Sequence, residues 1–153
     1  MPQLYVILSA SVMPIWTNMP TIKQANESLS NTLAATLGIR IAHIGDDFIV
    51  ATMNIDKKLS QPSGSLHGGA SATLAETLSD LAANCCVDTA LFQCRSLDIN
   101  LNHISPTYSG SVTAMARPIN LGKTHHVWRI EIKDENDKPI CEARATLAVV
   151  KAD

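Results

Sequence analysis

The chain has 153 residues, 46% apolar and 17% charged, with 12 Lys and Arg against 14 Asp and Glu for a net charge of −2. That composition excludes a disordered chain or a charged tail protein, and with no basic cluster in the sequence it excludes a nucleic-acid footprint. A single domain fits the length, and a charged fraction below the usual level near 25% suggests that other subunits cover some of the surface.

Residues 1–20, MPQLYVILSASVMPIWTNMP, hold an apolar piece with three prolines and no Lys or Arg ahead of it, a poor fit to a signal peptide. Met1, Met13 and Met19 are alternative starts, so 1–20 is an N-terminal extension or leader and 21–153 a single domain. No apolar stretch reaches the roughly 18–20 residues of a membrane helix, so no membrane partner is expected. Cys85, Cys86, Cys94 and Cys141 lack metal-type spacing. Reduced, buried thiols in a cytoplasmic protein are the expectation, with no metal.

A first helix is predicted from Thr21 to Leu37, with Thr21 or Asn26 as its cap and Gly38 as its stop. IRIAHI and FIVATMNI form a hairpin around Gly45-Asp46-Asp47, and a loop over Gln61–Ser65 leads to a long helix from Gly69 to Cys86. Four strand patterns follow: LFQCRSLDINL running into His103, then GSVTAMARPINLG, HHVWRIEIKD and PICEARATLAVV. This order gives an α+β fold in which a sheet wraps the long helix.

At 100° per residue, Ala70, Leu74, Leu78, Leu81 and Cys85 fall within an arc of about 80°, the core face. Glu76 lies opposite, with Ala72, Thr73, Ser79, Asp80 and Ala83. Two readings stand for Glu76, a solvated carboxylate or a group at a subunit contact. The small, uncharged helix back favours the second. His67-Gly68-Gly69 opens the helix, where free N–H groups and the positive dipole end suit an oxyanion. The alternative is that the glycines only make a tight loop, with His67 as a capping or packing residue. His67 and Glu76 are nine residues apart, about half a turn out of phase, so one regular helix cannot converge them.

QPSGSLHGGASATLAE, Gln61 to Glu76, resembles the signature of hotdog-fold acyl-CoA thioesterases. The subgroup is that of 1,4-dihydroxy-2-naphthoyl-CoA hydrolase, the enterobactin-pathway proofreading thioesterase and aryl-CoA thioesterases of the 4-hydroxybenzoyl type. The likeness continues through IGDDFIVATMNID, LDINLNHISP and RPINLGKTHHVWRIEIKDE, from Ile15-Trp16 onward. It implies an antiparallel sheet around one central helix, a homodimer as the minimum active unit, and dimers pairing into a homotetramer. It also implies a site where Gln61, His67 and Gly68 of one subunit meet Glu76 of the other. Glu76 then acts as nucleophile or general base, the Gly68 N–H polarises the thioester oxygen, and Gln61 and His67 orient substrate or water. Gly69, Ser79, Asp80, His103 and Lys123 are the implied substrate contacts. His103 lies near the acyl pocket and Lys123 near the coenzyme A path; a strand-end surface histidine and a solvated turn lysine are the bland alternatives. One departure stands out: the family places Ser or Thr four residues after the glutamate, where this chain has Asp80.

His125-His126 opens a strand, so the pair points to opposite faces and cannot chelate one metal. No serine-hydrolase elbow, phosphate loop or zinc-protease motif occurs in the sequence. The expectation is hydrolysis of an aromatic or medium-chain acyl-CoA to free acid and coenzyme A, with no cofactor beyond the coenzyme A of the substrate. The rivals are a hydratase or dehydratase on acyl thioesters and a non-catalytic acyl-CoA-binding protein.

Overall fold

Thr21 opens helix α1 (Ile22–Ser28) with a reciprocal cap. Its hydroxyl accepts the Gln24 N–H, and the Gln24 side-chain oxygen accepts the Thr21 N–H. Asn26, the other capping candidate, serves elsewhere: its amide donates to the Ile41 carbonyl and accepts the Ile41 N–H, each at 2.9 Å. The single helix expected to run to Leu37 is broken, with α1 stopping at Ser28 and one further turn, α2, spanning Leu33–Thr36. The intervening Ser-Asn-Thr chemistry explains the break. Ser28 and Thr32 hydroxyls bond the Ala25 and Leu29 carbonyls, and Asn31 takes φ +60°. Such local side-chain bonds compete with helix continuation. Gly38, at φ +74°, ends α2 as its sequence position predicts.

Strands β1 (Arg40–Ile44) and β2 (Ile49–Asn54) form the expected hairpin. Helix α3 (Gly68–Cys85) and strands β3 (Phe92–His103), β4 (Ser111–Leu121), β5 (His125–Asp134) and β6 (Pro139–Lys151) follow. Among the described residues the sheet has six strands in the order β1-β2-β4-β5-β6-β3, every neighbour antiparallel. Alternate residues Val112, Ala114 and Ala116 of β4 and Trp128, Ile130 and Ile132 of β5 line one face and are buried. Helix α3 lies across that face with Leu74 and Leu78 fully buried. The chain therefore forms the α+β layering anticipated for it. Among the described residues, no helix is long and apolar enough to cross a membrane.

The structure, a computed structural model, describes residues 13–153; Met1 and most of the suggested leader lie outside the described residues. Ahead of α1, the Ile15 N–H donates to the Asp46 carbonyl and the Trp16 indole N–H to Gly45. The Trp16 ring stacks on Trp128 with centroids 6.3 Å apart. Thr17 and Asn18 N–H groups both donate to the Cys85 carbonyl at the end of α3. Residues 15–18 are thus built into the domain, ahead of the boundary expected at residue 21.

The core stripe of α3 also differs from the helical-wheel expectation. Leu81 is only half-buried, whereas Ser79 and Ala83, expected beside Glu76 on the back, are fully buried. Strand β3 crosses that flank: Asn84 bonds the Cys94 backbone, and the Cys94 thiol reaches the Ala83 carbonyl.

Candidate active site

The entrance to α3 is a cap built by its own sequence. His67 is the N-cap, extended at φ −65° and ψ 132°, and its Nδ1 accepts the Gly69 N–H at 2.8 Å. An accepting Nδ1 leaves the neutral ring's proton on Nε2. The capping reading of His67 is therefore what the structure shows; the exposed ring stands outside the neighbouring cleft. A Cβ on Gly69 would sit 3.0 Å from His67 Nδ1, and one on Gly68 only 2.9 Å from His103 Nε2. Each glycine thus makes room for a different imidazole. Among the described residues no acceptor takes the Gly68 N–H, which stays free at the positive end of an 18-residue helix.

Gly68, His103 and Gln61 share a cleft of about 310 Å³, closed below by buried Leu66, Ser71 and Thr107. Gln61 is fixed by its loop, its Nε2 donating to the hydroxyls of Ser65 at 2.8 Å and Ser63 at 3.1 Å. Its side-chain carbonyl remains available as an acceptor. The loop is tied down by the Leu66 N–H on the Thr107 carbonyl and the His67 N–H on the Leu59 carbonyl. Ser71 and Thr107 were not legible as site residues. Ser71 sits three residues after Gly68, on the same helix face, whereas only the tertiary fold brings Thr107 there.

Glu76 lies in a second cleft, of about 580 Å³, between α1–α2 and α3. Asp80 shares it, as do Leu29, Thr73, Asn84 and Ser96. Burial, and next the Glu76 carboxylate one turn away, push the Asp80 carboxyl above its ordinary value of 3.8 although part of its side chain meets solvent. Ser79 is absent from this cleft. It is fully buried, and its hydroxyl donates back to the Glu76 carbonyl at 3.1 Å. Glu76 and Gly68, eight residues apart on α3, are separated by about 12 Å along the axis. One chain therefore carries a free helix-start N–H and a carboxylate too far apart to meet at one small group.

Lys123 stands exposed on the turn between β4 and β5, outside both clefts. His125 is exposed and His126 buried, the opposite facing expected of strand neighbours. His126 Nδ1 is 3.7 Å from the Cys94 thiol. Burial lowers the histidine's pKa and raises the thiol's to about 11, so the pair is neutral rather than a poised nucleophile. Among the described residues no group of three metal-type side chains occurs.

The thioesterase superfamily model matches residues 63–141, just over half of the chain. A mutant thioesterase structure from Pseudomonas aeruginosa superposes with a TM-score of 0.88 at 44% identity, covering 90% of this chain and 99% of that one. The 1,4-dihydroxy-2-naphthoyl-CoA hydrolase of Escherichia coli is 38% identical over 136 residues, 89% of this chain and 99% of that protein. Two mutant structures of one Staphylococcus aureus thioesterase match at 39% identity, with TM-scores of 0.75 and 0.74. They cover 78% and 76% of this chain and 98% and 97% of those chains. One has a glutamate replaced by alanine and the other a glutamine, the two positions fifteen residues apart, which is also the separation of Gln61 and Glu76. The likeness runs through the sheet, the long helix and the loop that opens it, so this hotdog-fold chain belongs to the thioesterase superfamily and is a thioester hydrolase.

Proposed function

We propose that the chain hydrolyses an acyl-CoA thioester to the free acid and coenzyme A at a site made by two copies of itself. The observation that supports this reading is the position of the two half-sites on one strand whose outer edge is free among the described residues. β3 is an edge of the sheet. Ser96, towards its start, borders the Glu76 cleft, and His103, at its end, borders the Gly68 cleft. Antiparallel pairing of β3 with its copy about a two-fold axis sets the Ser96 end of one beside the His103 end of the other. That pairing removes both the free edge and the separation of Glu76 from Gly68. It also covers Leu97, which is 61% exposed in the single chain.

At such a site the Gly68 N–H receives the thioester oxygen as negative charge develops on it. Glu76 of the other copy either takes a proton from the attacking water or attacks the carbonyl carbon to form an anhydride that water then opens. In both routes the C–S bond breaks and the thiolate leaves, taking up a proton as coenzyme A. Gln61 presents its side-chain oxygen to that water. His67 acts by capping: it occupies the Gly69 N–H and fixes the loop so that the Gly68 N–H alone faces the substrate. His103 packs on Gly68 beside the carbonyl. Lys123 is a candidate phosphate contact away from the chemistry.

The volume of the Glu76 cleft suits a small-molecule acyl group, and the Escherichia coli relative's name favours an aromatic one. A coenzyme A substrate and raised-pKa thiols fit a cytoplasmic enzyme, and dimers of this kind are expected to pair into tetramers. Thiol release from a panel of aryl and fatty acyl-CoAs, run beside a dehydration assay, tests the reading. Glu76→Ala should abolish most turnover on the best substrate; near-parental turnover in that variant overturns the assignment.

A further inference from the structure

The outer edge of β3, free among the described residues, carries little of what normally fixes register. From Arg95 to His103 only Ile99 and Leu101 are even half-buried, so no buried face discriminates one alignment of a second copy from the next. A shift of two residues displaces one copy by about 6–7 Å along the other. That is far beyond the tolerance of a shared site, where a misplacement near 1 Å can cost about 10²-fold in rate. Something other than side-chain alternation must set the alignment.

In the β3–β6 ladder Cys94 lies opposite Val149, Ile99 opposite Ala145 and Leu101 opposite Ala143. Cys94 turns its backbone away from β6, because the Asn84 side chain holds both its groups. The Cys94 N–H donates to Asn84 Oδ1 at 2.8 Å, and Asn84 Nδ2 donates to the Cys94 carbonyl at 3.2 Å. Antiparallel partners alternate between facing each other and facing away. Followed along β6 in steps of two, the same parity turns the N–H and C=O groups of Ser96, Ile99, Leu101 and His103 outward. Asn84 is braced from behind, its Nδ2 also reaching the Asp80 carbonyl at 3.0 Å. One amide thus joins the edge strand to the helix that carries Glu76.

We infer that Asn84 is a register stop and positioning residue. Its amide fills the edge at Cys94 as one residue of a further strand would, and so confines a second copy to Leu97–His103. The alignment that then uses the whole of Leu97–His103 in both copies is centred on Asn100, so Ile99 of one copy faces Leu101 of the other and Asn100 faces Asn100 on the two-fold axis. His103 of the copy falls opposite Leu97, beside the Ser96 that borders the Glu76 cleft. The inference rests on the reading of a site shared through β3.

Asn100→Cys tests it, with the parental chain and Asn102→Cys as controls for the native thiols. The two thiols introduced by Asn100→Cys face each other across the axis in a non-hydrogen-bonded pair. Their Cα atoms approach to about 4.5 Å, within the range a disulfide spans. Under mild oxidant Asn100→Cys should become a covalent dimer, and Asn102→Cys should not. Adding Asn84→Ala should leave the protein folded and dimeric by light scattering, yet strip most of the Asn100→Cys cross-link. In an otherwise parental chain Asn84→Ala should lower kcat/KM by about 10²-fold. Asn84→Ser, which cannot hold both backbone groups, should act in the same direction and serves if the alanine variant does not fold. Parental cross-linking and parental kcat/KM in a folded Asn84 variant overturn the inference. A parental chain that stays monomeric, or an Asn100→Cys chain that never cross-links, instead overturns the shared-edge reading beneath it.

Discussion

Gly68 and Gly69 show how two identical residues serve separate ends. Gly69 makes room for the His67 cap and Gly68 for the His103 ring, so a methyl group at either one disturbs a different contact. With Gly68→Ala as the control that adds a Cβ against His103 but keeps the N–H, Gly68→Pro deletes the N–H at a first helical position that tolerates proline, after a His67 that already has the extended backbone that must precede one. It should fold and lose about 10²–10³ in kcat; a folded, fully active proline variant would remove Gly68 from the chemistry. Asp80 is the other residue with a separable effect. Its carboxyl is raised from 3.8, by burial first and the Glu76 charge second. The folded chain therefore binds more protons there than the unfolded one, and stability falls as pH rises from that value through the raised one. Asp80→Ser should lack that fall, seen as a melting temperature that gains on the parent as pH rises. The same change removes a neighbouring negative charge, so the acid limb of kcat/KM should move to lower pH. An unmoved limb would show that Asp80 does not bear on the reacting carboxylate.

At the level of elements, what was legible is what local chemistry decides. The Thr21 cap, the Gly38 stop, the hairpin and the Gln61–Glu76 run are contiguous patterns, and each stands where its residues predict. What was not legible depends on chain segments far away. Ala83 and Ser79 lie on the polar side of a helical wheel, yet strand β3 and the turn of α3 bury them. Asn26 has the profile of a cap, but it is spent on the Ile41 backbone 15 residues later. That link holds α1, one wall of the Glu76 cleft, against the first strand. Asn26→Ala should destabilise the fold by about 1–3 kcal/mol, since it leaves two strand-edge groups without their partner. Denaturant titration measures it, and a loss within error would mean that α1 is held by its apolar contacts alone. Trp16, placed by the sequence in a doubtful leader, is likewise committed to the sheet through its stack on Trp128.

As a whole molecule, the chain carries two separate clefts and, among the described residues, a twelve-residue edge strand paired on one side only. Light scattering at micromolar concentration should find no monomer, and Leu97→Lys should weaken the assembly by setting two ammonium groups at the shared edge. A monomer of full specific activity would defeat the shared site. A site shared between two copies, as proposed, has a consequence for damage as well as for design. A chain that has lost Glu76 still owns an intact Gly68 entrance, and a chain that has lost Gly68 still owns an intact Glu76. When the two dead proteins are unfolded together and refolded, each mixed pair concentrates both lesions in one site and leaves the other whole. Random re-pairing by two-fold symmetry should therefore recover about a quarter of parental activity from two inactive parents. Defects in opposite halves are complementary, whereas defects in the same half cannot rescue one another.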